Sequence, residues 1–442
     1  MTMLSTFVRT LLNSPALLLA ALAVYAYFQV WQPLTHLHSN DFKHIYLGTQ
    51  AIWTHRDPYS AESLLDVAKD YGLGTAALNP YVYLPFTGIA LGFLRFFSFP
   101  TAAHFWFVTN HMLLFASLIL WARTLTPFTQ PLIGSLGWLN VLALLAAISH
   151  PLSRTFTAGQ LNIVLLLCYV VSFISLQRTR DLLAGAVLGF GAMFKLAPGL
   201  FALYLLLVQR WRALLAMVAT CAALLLVSIA IAGWRMHLAF LPVLAQMGYG
   251  KSTWQHYGAT FWKDPWNQSL NSLLTHLFVE ANHVTVSWYS ASQKLANLLT
   301  ITGSLTMLLL FVFAAFHASR RTLARDPRAS ALATEGLFFM ALLLSLLLPS
   351  LLWDHYLILL LLPVSWLVAR GIELHFEGLV LGALICYLIT AVPIRFDAEH
   401  FRHGWGVLLM SSKFYPTLAL YLTLTGLVFR SQKPCRLSAA AG

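Results

Sequence analysis

The chain of 442 residues is 59% hydrophobic and only 10% charged, with a formal net charge of +12, and its mean hydropathy is +0.73. That make-up excludes a water-soluble domain of ordinary composition. It also excludes nucleic-acid binding, because the basic residues fall in short connections and a tail (Arg178 and Arg180, Arg210 and Arg212, HASRRTLARDPR at 317–328, RSQKPCR at 430–436) and not on a soluble face.

Repeated apolar windows match the roughly 17–25 residues that a helix needs to cross a bilayer, and helices satisfy their own backbone in lipid. The expected class is therefore an all-α polytopic membrane protein, one domain over 1–442, with basic loops on the cytoplasmic side. The first apolar stretch, Pro15 to Trp31, follows Arg9 and precedes no small-residue cleavage site, so it reads as a retained helix. It delivers a first outer loop, 36–80. Apolar segments follow at about 82–98, 102–122, 132–149 and 160–177. Four crossings there would put QRTRD (177–181) on the wrong side for its charge, so one segment must be short, broken or merged with its neighbour.

The stretch 182–208 lies between two basic ends and carries Lys195 and Pro198 at its middle. Each half is about 20 Å long at 1.5 Å per residue, too short to cross alone. A broken helical hairpin with Lys195 near its tip and one long kinked helix are both open geometries. A helix at about 213–232, a second outer loop over 233–292, and helices at about 295–316, 333–349, 356–370, 377–392 and 410–429 complete the chain before a basic tail, 430–442. The expectation is about 12 spans.

Four cysteines without a CxxC indicate neither disulfides nor a thiolate metal site. No HExxH and no DxD occurs, so no metal site and no cofactor are expected. The acids at the outer side are the candidates for chemistry. Asp41, flanked by Lys43, His44 and Tyr46, could act as a general base on an acceptor hydroxyl; the plainer reading is a loop acid paired with Lys43. Lys195 in mid-membrane suits a phosphate at the membrane boundary, or it snorkels. SRTFTAGQLN (153–162) offers Arg154, Gln160 and Asn162 as an anion or sugar site, or as a capped helix start. Tyrosines at 81–83 and tryptophans within 253–266 read as interfacial belts or, more sharply, as sugar-stacking faces. NQS (267–269) matches a glycosylation sequon.

The motifs also stand in a recognisable order. NDFKHIYLGTQAIWTHRDPYS (40–60) resembles the first outer loop of glycosyltransferase family 87, and YVYLPFTGIAL (81–91) resembles that family's aromatic–proline lead-in to the next helix. GQLN (159–162), AGAVLGFGAMFKLAPGLF (184–201), RWRA (210–213), NQSL (267–270) and WDHY (353–356) follow in matching order. The resemblance implies a GT-C-type fold and an inverting transfer of a sugar, typically mannose, from a polyprenyl-phosphate donor to a glycolipid or glycan acceptor. The site would face away from the cytoplasm, in a bacterial inner membrane, with membrane lipids and no nucleic acid as further partners. Carried onto this sequence, it makes Asp41 the general base. Lys195, Arg154, Gln160 and Asn162 become donor-phosphate or sugar ligands, and His355, Tyr83, Asn267 and Gln268 line the cavity beside Lys43, His44 and Tyr46. A lipid-linked-sugar flippase, or a polymerase or ligase using a pyrophosphate carrier, remains the alternative. A flippase would not need Asp41 for a chemical step.

Overall fold

The computed structural model describes residues 9–37, 40–74, 78–251, 264–279, 292–322, 327–396, 398–402 and 404–430. The tryptophans within 252–263, Asp397, His403 and the tail beyond 430 lie outside them. All regular structure among the described residues is helical.

The first half of the chain contributes α1 (Pro15–Tyr25, prolonged by a π-turn and one α-turn to Leu34), α2 (Asn40–Trp53), α3 (Ala61–Asp70), α4 (Pro85–Ala90), α5 (Phe99–Thr129), α6 (Ser135–Ala147), α7 (His150–Thr157), α8 (Asn162–Gln177), α9 (Asp181–Phe194), α10 (Phe201–Leu207) and α11 (Trp211–Ala232). The second half adds α12 (Trp234–Ala245), α13 (Leu270–Phe278), α14 (Gln293–Thr322), α15 (Pro327–Leu347), α16 (Leu361–Glu373, preceded by a 3-10 segment Asp354–Leu360), α17 (Glu377–Ala391), α18 (Gly406–Met410) and α19 (Phe414–Arg430). Among the described residues six of these spans are long and apolar enough to cross a membrane, or seven if the pair α6–α7, bent by 67°, counts as one. Others are shorter: α8 has 16 residues and α17 has 15, which at 1.5 Å per residue falls short of roughly 30 Å of hydrocarbon.

The parity problem resolves at 82–98. That segment is a six-residue helix followed by five residues of 3-10 helix, whereas the next apolar segment runs on as a single 31-residue helix, α5. Two glycines allow the fold-back. A Cβ on Gly88 would lie 2.5 Å from Ile52 Cδ1 and one on Gly92 would lie 2.4 Å from Trp53 Nε1, so the short segment packs onto α2. The outer loop expected over 36–80 is itself largely helical, as α2 and α3.

The ends of the bundle can be told apart by pairing. Asn140 Nδ2 donates to Leu12 O and Ser14 O, while Gln29 Nε2 donates to Ala147 O and Ser149 O; α1 and α6 therefore run parallel. At the end bearing the start of α1, Arg210 pairs with Asp181 at 3.0 Å. Glu335 there takes Arg370 at 2.5 Å, Trp366 Nε1 at 2.8 Å and Gln177 Nε2 at 3.1 Å. This is the basic end. Helices α9 and α11 also run parallel from it, since Gly185 sits on Ala213 and Gly189 on Met217. Two parallel neighbours that start side by side require the chain between them to return. Residues 181–210 thus form the broken hairpin, with Lys195 in extended backbone at its tip (φ −157°, ψ 127°), and the single kinked helix is excluded.

Candidate active site

The opposite end of the bundle holds a cavity of about 340 Å³. Its wall draws on α2 (Asp41, His44), the lead-in to α4 (Asn79, Tyr83), α7 and its following turn (His150, Arg154, Gln160), the segment before α13 (Asp264, Trp266) and the WDHY stretch, 353–356. The bend after α6 makes this possible. Ser149 caps α7, its Oγ accepting from Leu152 N at 3.3 Å, and His150 and Arg154, four residues apart, share one face of that helix.

Asp41 sits in the first turn of α2, half-buried, where an N-terminal carboxylate is favoured. Asn79 Nδ2 donates to its Oδ1 at 2.9 Å. The Arg154 side chain is exposed and makes no ion pair among the described residues, so its positive charge is available to a cavity ligand. Tyr83 lies over His44 with ring centroids 5.9 Å apart and 3° between planes, and its hydroxyl donates to Gln160 Oε1 at 3.2 Å. Burial, reinforced by the nearby Tyr356 and Asp41, pushes the Tyr83 phenol well above its ordinary range, so it stays a neutral donor.

Lys195 stands behind this wall and does not line it. Its Nζ donates to Asn162 Oδ1 at 2.9 Å and lies 3.8 Å from the Tyr356 ring centre. Asn162 Nδ2 and Thr155 Oγ1 both donate to His355 O at 3.0 Å, which fixes His355 against the cavity with its Nε2 buried and without a partner among the described residues. The fourth wall is ionic: Asp354 is buried, with His150 Nδ1 at 2.6 Å from Oδ2 and Lys413 Nζ at 2.6 Å from Oδ1.

Of the residues expected from sequence, Asp41, His44, Tyr83, Arg154, Gln160 and His355 come together on one cavity, with Asn162 and Lys195 supporting them. The others do different work. Lys43 Nζ donates to Gly74 O, and the Tyr46 hydroxyl donates to Phe97 O at 2.8 Å inside an aromatic cluster. Asn267 and Gln268 do not line the cavity; they clamp its floor. Asn267 bonds Ser350 O at 3.0 Å and Leu352 N at 2.9 Å, and Gln268 bonds Met410 O at 2.9 Å and Lys413 N at 3.1 Å. Both side chains are fully buried, and buried amides satisfy themselves on backbone in this way. Sequence reasoning missed His150, Asn79 and Lys413. Only the asparagine before Pro80 and Tyr81, in a stretch already notable for aromatics, left a local sign. Among the described residues no group of three His, Cys, Asp or Glu side chains is placed to hold a metal ion.

A partly free carboxylate, a guanidinium with no ion pair among the described residues and aromatic walls suit a reaction between a hydroxyl and an anionic group. Comparisons with known proteins support a glycosyltransferase. The chain is 30% identical over 137 residues to the polyprenol-phosphate-mannose-dependent alpha-(1-2)-phosphatidylinositol pentamannoside mannosyltransferase of Mycolicibacterium smegmatis, an alignment covering 30% of this chain and 31% of that relative. The chain thus spans about a third of the curated relative's length. No solved structure matches it. The model of glycosyltransferase family 87 matches residues 81–346, well over half of the sequence, and the chain belongs to that family.

Proposed function

We propose that this integral membrane glycosyltransferase moves a hexose, mannose in the first instance, from a polyprenyl-phosphate donor to a hydroxyl of a glycolipid or glycan. The transfer takes place at the membrane face opposite the basic loops. The observation that carries this reading is that Asp41 and Arg154, which makes no ion pair among the described residues, open on one cavity at that end. In an inverting displacement the acceptor hydroxyl gives its proton to Asp41 while its oxygen bonds to the anomeric carbon. The bond from that carbon to the phosphate oxygen breaks, and the phosphate departs with the electron pair and a second negative charge. Asn79 holds one oxygen of Asp41 and leaves the other for the acceptor. Arg154 meets the phosphate directly, as a guanidinium suits phosphoryl oxygens.

The positive-inside rule places the basic end in the cytoplasm and the cavity outside, which in a bacterium is the periplasmic side of the inner membrane. A count of 12 crossings needs the shorter apolar helices, α8 and α17 among them, to cross as part of the packed bundle. The mycobacterial relative's dependence on polyprenol-phosphate-mannose supports the donor class. The test uses the purified chain with a radiolabelled short-chain polyprenyl-phosphate mannose and a crude lipid acceptor. Wild type transfers label, and Asp41→Asn loses about 10²–10⁴-fold in rate while still binding donor. No transfer by wild type with any sugar, alongside flux of the lipid in proteoliposomes, overturns the reading in favour of a flippase.

A further inference from the structure

The triad Lys413–Asp354–His150, buried at its first two members, has no place in the chemistry above, yet it ends on the cavity wall. Asp354 is 4% exposed and Lys413 is fully buried. Each carboxylate oxygen is taken at 2.6 Å, one by the Lys413 ammonium and the other by His150 Nδ1. A carboxylate already paired with an ammonium has no proton to give, so Nδ1 carries the hydrogen. The one ring nitrogen left to a cavity ligand is then Nε2, and His150 stands one turn before Arg154 on the same face of α7.

We propose that protonated His150 is a second phosphate-binding catalytic residue beside Arg154, and that Asp354 and Lys413 are the positioning pair behind it. This rests on the donor class proposed above. The reasoning turns on net charge. An aspartate alone behind an imidazolium would cancel its charge and leave little for an anion in the cavity. Lys413 cancels Asp354 instead, so the triad is neutral when His150 is neutral and carries a full positive charge when it is protonated. The charge then arrives with the anion, and it is worth most when transfer turns the phosphate monoanion into a dianion, which places the benefit in the transition state and product.

Proton uptake by His150 and phosphate binding are therefore linked, each favouring the other. The groups facing His150 are Asp354 and His355 from the segment before α16, Lys413 through Asp354, Arg154 on its own helix and, around the same cavity, Asp41, His44, Tyr83, Asp264 and Tyr356. The other elements packed on α7 are the stretch Ala26–Leu34 and α17. Their titratable side chains are Tyr27, Cys386, Tyr387 and Glu377, and the Tyr387 hydroxyl is spent on Leu145 O at 2.8 Å.

The experiment measures the affinity of the purified chain for a short-chain polyprenyl phosphate by calorimetry between about pH 7 and pH 9, where that phosphate is already largely dianionic. Sugar transfer is assayed in parallel, and thermal unfolding confirms that each variant is folded. Wild-type affinity falls with rising pH as the linked proton becomes scarcer, by at most about tenfold per unit. His150→Gln binds about tenfold more weakly at the low end and loses the slope, as expected for one hydrogen bond to a charged group. His150→Lys keeps its charge and binds tightly across the range. A merely structural role would show neither the lost slope nor the rescue. Asp354→Asn leaves Lys413 buried and unpaired, so Asp354→Asn is combined with Lys413→Met; this variant frees the ring from its positioning pair and weakens binding. Wild-type transfer with an unchanged affinity and slope in His150→Gln overturns this inference alone. Failure of wild type to bind the lipid phosphate or to transfer from it overturns the donor reading as well.

Discussion

Lys195 Nζ lies 3.8 Å from the centre of the Tyr356 ring and 2.9 Å from Asn162 Oδ1. A cation held by a π-face and an amide, with no carboxylate paired to it among the described residues, is costly to the fold. Its position behind the cavity wall puts a positive charge near the site without contact to a ligand. Lys195→Met keeps the length and removes the charge. The expected outcome is a raised melting temperature together with transfer slowed by about tenfold or more, because a field that stabilises developing negative charge is lost. Thermal unfolding and initial rates on the same preparation check it. A fall in both would make Lys195 a packing residue.

Asn79 poses a narrower question. Its amide donates to Asp41 Oδ1 at 2.9 Å and touches the carboxylate, not the carbon that is attacked. Asn79→Ala should lower kcat by about tenfold, the worth of one hydrogen bond to a charged group, and leave the donor KM unchanged. A change confined to KM would place Asn79 on the donor.

Much of the fold was legible from hydropathy, because a long apolar window has few other uses. The segment at 82–98 was not, since it is as apolar as a true span. Only the packing of Gly88 and Gly92 onto Ile52 and Trp53 turns it back, and close approach between distant segments has no local signature. The hairpin at Lys195 was half legible: charge at both ends and Pro198 in the middle allowed it, and the Arg210–Asp181 pair decides it. In the site, Asp41 and His355 stand in motifs with a recognisable order. His150 does not, because its meaning lies in Asp354, 204 positions on, and in Lys413 beyond that. Asn267 and Gln268 misled for the opposite reason. Polar residues in an outer loop read as ligands when nothing local reveals that backbone groups already claim them.

The hairpin's packing can be tested at one atom. A Cβ on Gly185 would lie 1.9 Å from Ala213 O, a backbone atom that cannot swing aside. Gly185→Ala should therefore destabilise by about 1–3 kcal/mol through overpacking, although alanine is favoured over glycine by about 1 kcal/mol in a helix interior. Gly382, within α17, has nothing within 4 Å of its would-be Cβ, so Gly382→Ala should be neutral or stabilising. Comparing the two melting temperatures separates the steric term from the helical one, and equal effects would refute the close α9–α11 approach.

At the basic end, Arg370 bridges Glu335 and Glu373, each at 2.5 Å, and stacks 3.9 Å from the Phe128 ring centre. Only Glu335 is buried with it, and Glu335 also takes Trp366 and Gln177. Glu335→Gln leaves Arg370 with Glu373 as its remaining carboxylate and should cost about 1–3 kcal/mol for the charged hydrogen bonds weakened in the interior, whereas Glu373→Gln, at the half-exposed partner, should cost at most about 1 kcal/mol. Glu335→Leu combined with Arg370→Met removes both buried charges and should recover most of the loss, which a double-mutant cycle on the melting transition would register as strong coupling. Because this cluster lies at the far end of α16 from Asp354 and His355, phosphate affinity in the folded fraction should not change. A variant here that altered both stability and phosphate binding would mean that α16 transmits strain along its length, and the two ends of the bundle could no longer be treated as independent.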